Sequence, residues 1–259
     1  MLRRRSWHGR EVVPQHSTVA SFLQPSASGL RPAPMKKFEQ ELAALRTRIV
    51  DMGGLARSMV DLAVSAIDQP VDEVYQKVLA SEEQLDQMQL DIDREAIRLL
   101  TVYGPVANDL RFVLMVARIN SELERIGDQA INMCEDLQLM AAKIKASPLP
   151  EIHKMAKVVS GMVRDSMAAF IQEDVRKAEE VLASDDVVDA LNDQIVRELL
   201  SDQVVREAIS AEDGPAHIAD ALGLILLSRS LERIADQATN ICEEVIYMVK
   251  GADVRHKHV

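Results

Sequence analysis

The sequence predicts an all-α protein built as two tandem three-helix bundles related by a pseudo-twofold internal repeat. Three observations carry that expectation. First, Ser121–Glu135, SELERIGDQAINMCE, recurs as Ser230–Glu244, SLERIADQATNICEE. With Glu124 set on Glu232, Leu123, Arg125, Ile126, Asp128, Gln129, Asn132 and Cys134 fall on Leu231, Arg233, Ile234, Asp236, Gln237, Asn240 and Cys242. A self-match this dense marks a repeated structural unit. Second, hydrophobic residues make up 47% of the chain but aromatics only 3%, a composition that suits packed helices better than a β sandwich. Third, no segment alternates apolar and polar residues between turn signals, as a half-buried strand would.

Taken in order, residues 1–34 stand apart. They hold five arginines, four prolines and one acid, Glu11, and read as a disordered N-terminal extension with Met35 as an alternative start. Arg-rich, acid-poor composition also fits an organelle transit peptide, but there is no apolar segment for a secretory signal. Residues 35–147 form the first bundle and 148–259 the second. Prolines punctuate the periodic segments: Pro70, Pro105, Pro148, Pro150 and Pro215 lie between them. The expected helices run from about Lys36 to Asp68, Val71 to Thr101, Val106 to Lys145, Ile152 to Ile171, Val175 to Val205 and Ala216 to Lys250. No proline parts the fourth from the fifth, where Asp174 is the candidate N-cap. Gly104-Pro105 and Gly214-Pro215 fit a Gly turn followed by Pro at the first helical position. The pair Gly53-Gly54 inside the first helix costs roughly 1 kcal/mol per residue; close helix approach is the expected reason, a local kink the alternative.

At about 100° per residue, Glu124, Asp128, Asn132 and Glu135 fall within about 80° of one another. Ile119, Leu123, Ile126, Ala130, Met133 and Leu137 gather on the opposite side as the core stripe, so the polar face points out of the bundle. The preceding helices carry matching acids. Glu82 and Asp86 in the first half align with Asp185 and Asp189 in the second, and Arg94-Glu95 with Arg197-Glu198. If these pairs sit level, four carboxylates converge in each half. Like charges four apart destabilise a helix by roughly 0.2–0.5 kcal/mol per pair, so a cluster calls for a cation or arginine. Oxygen-only donors suit hard cations such as Mg²⁺, Mn²⁺, Ca²⁺ or iron, and no His or Cys pattern supports structural zinc. The plain alternative is a solvated acidic face whose acids pair with Arg125 and Arg233. Spacing alone leaves both open.

The formal charge is −11, which argues against a nucleic-acid partner. Two cysteines at equivalent repeat positions form no disulfide framework and read as small apolar residues. The longest apolar run, Ala221–Leu227, is too short to span a bilayer. His153, His217 and the terminal Arg255–His258 read as solvated.

At these motifs the chain resembles the PhoU family of phosphate transport system regulators. LERIGDQAINMCE and LERIADQATNICE resemble its repeated signature, and PVANDLRFVLMVARINSELERIGD is similar to its third helix. MGGLARSMV and ICEEVIYMVKGADVRH match as well, so the likeness runs from about Met35 to His256. The resemblance implies multinuclear metal clusters, of iron, Mn, Mg or Zn, held on the bundle surface by E/D-x-x-x-D motifs. On this chain those are Glu82, Asp86, Glu124, Asp128, Asp185, Asp189, Glu232 and Asp236, with Asn132, Asn240, Glu135 and Glu243 as lesser candidates. It implies negative regulation of high-affinity phosphate uptake and of the phosphate-starvation response, without catalysis. It further implies a cytoplasmic homodimer acting as adaptor between the phosphate ABC transporter, through its ATPase PstB, and the sensor kinase PhoR. Such a protein reaches the membrane only through its partners. Two departures stand out. Ala235 replaces Gly127, an exchange expected to matter little in a helix. Asp109 aligns with His217, so the second cluster is expected to differ if Asp109 supports the first. Two other readings remain: a helical interaction module without metal, and a carboxylate-bridged metalloenzyme of the ferritin-like sort. The latter lacks the inward Glu-x-x-His motifs of that class.

Overall fold

The computed structural model describes residues 33–141, 150–201 and 214–251. They form six helices: α1 Ala33–Ser65, α2 Val71–Tyr103, α3 Ala107–Ala141, α4 Pro150–Gln172, α5 Val175–Leu199 and α6 Gly214–Lys250. No strand occurs among the described residues, and none of their helices is long and apolar enough to cross a membrane. Residues 1–32 of the expected N-terminal extension lie outside the described residues, as does the expected helix end at Lys145, whereas Ala33 and Pro34 already belong to α1. The expected fifth helix stops at Leu199, short of Val205, with Leu200 as its C-cap, the Leu200 N–H donating to the Val196 carbonyl at 3.0 Å.

The helix ends follow from local chemistry. Gly104 closes α2 in the left-handed region (φ 52°, ψ 52°), its N–H donating to the Leu100 carbonyl at 3.2 Å. Pro105 lies in the link and α3 begins at Ala107, so Pro105 is not the first residue of a helix as expected. Between α4 and α5, Asp174 N–H donates to Ala169 O (3.0 Å) and Glu173 N–H to Phe170 O (3.3 Å). That is a Schellman cap, with Glu173 at φ 53° in the place glycine usually fills. Asp174 then caps α5, its carboxylate accepting from the Lys177 N–H at 3.2 Å, as the sequence indicated.

The expected core stripe of α3 is buried: Ile119, Leu123, Ile126, Ala130 and Met133 have no exposed surface. Their counterparts Leu231, Ile234, Ala238 and Ile241 do the same in α6. Each large side chain so buried contributes about 1.5–3 kcal/mol. α1 packs on α2 and α3, and α4 on α5 and α6. The two bundles join through α3 against α6, the most extensive helix pairing, and through α1 against α4. Arg118 donates to both oxygens of Glu244 (3.1 Å each), Asn240 to Glu122 (3.1 Å) and Ser230 to Asp136 (3.4 Å). Residue numbers rise on one helix as they fall on the other, so the two run antiparallel, with Gly127 and Ala235 near the middle.

Gly53 faces the other bundle: a Cβ there would lie 2.3 Å from the Met167 Cε of α4, while Gly54 meets open space. Close approach therefore explains the first glycine only. At Gly127 an added Cβ would sit 2.3 Å from Leu85 Cδ2 and 3.3 Å from Met59 Cε. In the second half the residue aligned with Leu85 is Val188, also fully buried, and its shorter side chain leaves room for Ala235. The exchange is compensated by its neighbour, so Gly127 matters more than helix propensity alone suggests.

Candidate functional site

Hydrogen bonds between α2 and α3 set their register. Gln138 donates to Asp72 (2.9 Å), the Tyr75 hydroxyl to Glu135 (3.4 Å), and Asn120 to the Gln89 carbonyl (3.0 Å) and to Asp93 (2.9 Å). This antiparallel register places Glu82 level with Asp128 and Asp86 level with Glu124. In the second half Asn192 donates to Glu232 (2.8 Å) and Ser228 to Asn192 (2.8 Å), setting Asp189 level with Glu232 and Asp185 with Asp236. All eight carboxylates therefore stand at matched heights on paired helices.

Their exposure alternates in the same way in both halves. Glu82, Glu124, Asp185 and Glu232 are half-buried; Asp86, Asp128, Asp189 and Asp236 are exposed. The electrostatics show the acids acting on each other across the helix pairs. Burial raises the Glu82 carboxyl, and Asp86 and Asp128 raise it further. Glu124 is raised by burial, then by Asp128 and Asp86, against the pull of Arg125. Asp128 is raised by burial and by Asp86. In the second half burial, then Asp189 and Asp236, push Asp185 up to about 6. Glu232 is raised by burial, Asp236 and Asp189, and Asp236 by burial and Asp189, with Arg233 opposing. Each group thus holds like charge that favours proton or cation uptake.

The alternative of plain ion pairing fares poorly at Arg125, which bonds Glu122 at 3.2 Å and not the motif acids. Equally, among the described residues no three His, Cys, Asp or Glu side chains converge closely enough to hold an ion as they stand. The set fits a hard cation in its all-oxygen donor chemistry, with Glu82, Asp86, Glu124 and Asp128 as one group and Asp185, Asp189, Glu232 and Asp236 as the other. Of the lesser candidates, Asn132 bonds Gln129 of its own helix (3.3 Å), Asn240 bonds Glu122 across the bundle seam, and Glu135 takes the Tyr75 hydroxyl. Glu243 is half-buried. Asp109 is exposed in the first turn of α3, and the His217 side chain lies outside the described residues.

Sequence reading missed two features. One is the Asn192–Ser228 pair behind Glu232; its counterparts Gln89 and Asn120 bond differently, so only the alignment one turn beyond the acids could have pointed to it. The other is apolar. Ile97, Leu110 and Leu114 are exposed large hydrophobics, and so are their equivalents Leu200, Ile218 and Leu222. Exposed apolar residues at repeated positions are unlike scattered surface leucines. Because α1 covers α2 and α3, α4 covers α5 and α6, and α1 touches α4, both carboxylate groups open on the side opposite α1 and α4.

Comparison with known proteins matches the family model described as the PhoU domain to residues 49–137 and again to 152–245. A relative from Aquifex aeolicus, named a phosphate-specific transport system accessory protein PhoU homolog, is 35% identical over 225 residues, covering 87% of this chain and 98% of that one. The Escherichia coli phosphate-specific transport system accessory protein PhoU is 30% identical over 220 residues, covering 85% and 88%. The crystal structure of PhoU from Pseudomonas aeruginosa superposes with a TM-score of 0.74 at 33% identity, covering 83% of this chain and all of that one.

Proposed function

The chain belongs to the PhoU family, and on that footing we propose that it is a negative regulator of high-affinity phosphate uptake and of the phosphate-starvation response. Its relatives are named accessory and regulatory proteins of phosphate transport, a role of association and not of catalysis. In this reading it is a cytoplasmic, metal-binding adaptor, itself a homodimer, between the phosphate ABC transporter, through PstB, and the sensor kinase PhoR. One observation carries the metal part: two equivalent groups of four carboxylates on one side of the molecule, with Glu82, Glu124 and Asp128 in one and Asp185, Glu232 and Asp236 in the other raised in pKa by burial and by neighbouring acids. Glu82, Asp86, Glu124 and Asp128 would hold one cluster and Asp185, Asp189, Glu232 and Asp236 the other. A bound divalent cation supplies charge neutralisation across the paired helices. The repeated apolar residues further along the same helix pairs support the adaptor part, since they offer contact area that the fold itself leaves uncovered.

A second reading, an interaction module whose acids bind no metal, is favoured by the lack of a ready-made ion-holding set among the described residues. Elemental analysis of anaerobically purified protein separates the two. The metal reading expects several transition or alkaline-earth ions per chain, lost on Asp128→Ala with Asp236→Ala; metal-free wild type decides for the second reading. For the regulatory role, deleting the gene should derepress phosphate uptake and starvation genes in phosphate-rich medium. Unchanged expression would sink it.

A further inference from the structure

An open groove of about 420 Å³ lies between α4 and α5 in the second bundle. Val158, Met162 and Val181 give it an apolar surface, and Lys157, Asp165, Lys177 and Glu180 give it charge. Both acids already have arginine partners. Arg164 grips Asp165 through two hydrogen bonds, 3.0 and 2.9 Å, which hold that carboxyl below its usual range, and Arg176 bonds Glu180 at 3.3 Å. Neither lysine ammonium lies within ion-pair distance of an acid among the described residues, although Lys177 adds to the pull of Arg164 on Asp165 from further away. With Arg164 and Arg176 counted against the two acids, the two lysines leave the groove net positive, on a chain whose net charge is −11.

The internal repeat shows that this is a local specialisation. Setting Met52 on Met155 and Glu82 on Asp185 aligns Lys157 with Gly54, Asp165 with Leu62 and Lys177 with Val74. Core positions lining the groove, Met162 and Val181, keep their character as Met59 and Val78. The scaffold is shared, but three surrounding positions are charged only in the second half, two of them lysines facing one groove, and Glu180 stands where the first half has Lys77. Two lysines recognise a compact, doubly charged anion as point charges, and a phosphomonoester carries about −1.5 to −2 at neutral pH. A bare oxyanion is only somewhat larger than a water molecule, which takes up about 30 Å³ in the liquid, so the groove has room for more than the anion. Its apolar surface specifies what the rest must be.

We propose that this groove binds a small phosphomonoester dianion, its phosphate between Lys157 and Lys177 and its apolar body against Val158, Met162 and Val181. The site goes beyond the regulatory reading and does not depend on the carboxylate groups. Isothermal titration of the full chain in EDTA, which removes any metal-bridged binding, tests it with AMP, inorganic phosphate and adenosine as probes. AMP should bind one per chain, at least about tenfold more tightly than either inorganic phosphate or adenosine. Lys157→Gln with Lys177→Gln should weaken AMP at least about tenfold, while Lys77→Gln on α2 should leave it unchanged. Equal binding of AMP and adenosine removes the phosphate from the proposal, and equal binding of AMP and inorganic phosphate removes the apolar body. Either result overturns it. So does AMP binding that survives the double substitution, or the lack of AMP binding at millimolar concentration.

Discussion

Asp185→Asn removes the cost of holding a charged carboxyl half-buried among like charges. In the folded, metal-free protein the Asp185 carboxyl is pushed from 3.8 to about 6, first by burial and then by Asp189 and Asp236. A tenfold change in proton affinity is worth about 1.36 kcal/mol, so a rise of this size sets an upper figure of about 3 kcal/mol. Asp185 is only half-buried, and solvent screening reduces this to about 1–2 kcal/mol. The sign follows from linkage: a carboxyl whose folded pKa is raised carries no penalty below its unfolded pKa, where both states are protonated. The penalty accumulates as pH rises from about 4 to about 6 and is complete above that. Urea unfolding followed by circular dichroism, in EDTA, should therefore find Asp185→Asn more stable than wild type by about 1–2 kcal/mol at pH 7.5. The gap should close towards zero at pH 4. Adding Mn²⁺ should reverse the order, because a ligand at a hundred times its Kd stabilises the folded state by about 2.7 kcal/mol and the variant has lost a donor. A variant that is neutral or destabilised at pH 7.5 without metal would refute the claim that burial and the neighbouring acids penalise the Asp185 charge in the fold. Reversal failing with Mn²⁺ would refute the claim that they bind it.

Two further predictions concern packing and backbone. Gly127→Ala should lose about 1–2 kcal/mol, because overpacking against Leu85 and Met59 outweighs the roughly 1 kcal/mol gained in helix propensity. Adding Leu85→Val, which recreates the Val188–Ala235 arrangement, should recover most of it in a double-mutant cycle; additive losses would dismiss the compensation. At Glu173, whose φ is 53°, glycine should be about 1 kcal/mol more stable than alanine in the same thermal melt, since both lose the exposed Arg46 pair and only alanine keeps the left-handed strain. Equal stabilities would mean the strain is not there.

The fold and the acids were legible in the sequence because both rest on periodicity. A 3.6-residue repeat separates Leu123, Ile126 and Ala130 from Glu124 and Asp128 whatever the rest of the chain does, and duplication repeats the evidence. Features set by a contact distant in sequence were not legible. Gly53 and Gly127 are read correctly only against Met167 and Leu85, and periodicity says nothing of which side chain arrives from another helix. Asn240 shares the motif face by helical phase, yet its amide meets Glu122 because α3 packs on α6. Exposed Ile97 and Leu114 look like core positions until tertiary packing leaves them uncovered. Pro105 departs from its expected place for a local reason: Gly104 ends α2 in the left-handed region, and the chain needs further residues before α3 can start.

The two carboxylate groups carry equivalent acids in different surroundings, so on the proposed metal reading they should be unequal as ion sites. Asn192 donates to one oxygen of Glu232 and is itself held by the Ser228 hydroxyl. In the first half Gln89 stands in place of Asn192 and Asn120 in place of Ser228; Asn120 donates to the Gln89 carbonyl and to Asp93, and Glu124 accepts no hydrogen bond from a described residue. A carboxylate fixed through one oxygen keeps the other free to ligate and spends less conformational freedom on binding, and loss of such a supporting partner typically costs 10–100-fold in metal affinity. The second group should therefore fill first in a Mn²⁺ titration of the metal-free protein. Asn192→Ala should weaken that first phase by about 10–100-fold and leave the later phase unchanged, with Asp128→Ala abolishing the later phase alone. If Asn192→Ala instead weakens both phases equally, the groups are coupled through the α3–α6 seam. If it weakens neither, Asn192 serves only to pack α5 against α6.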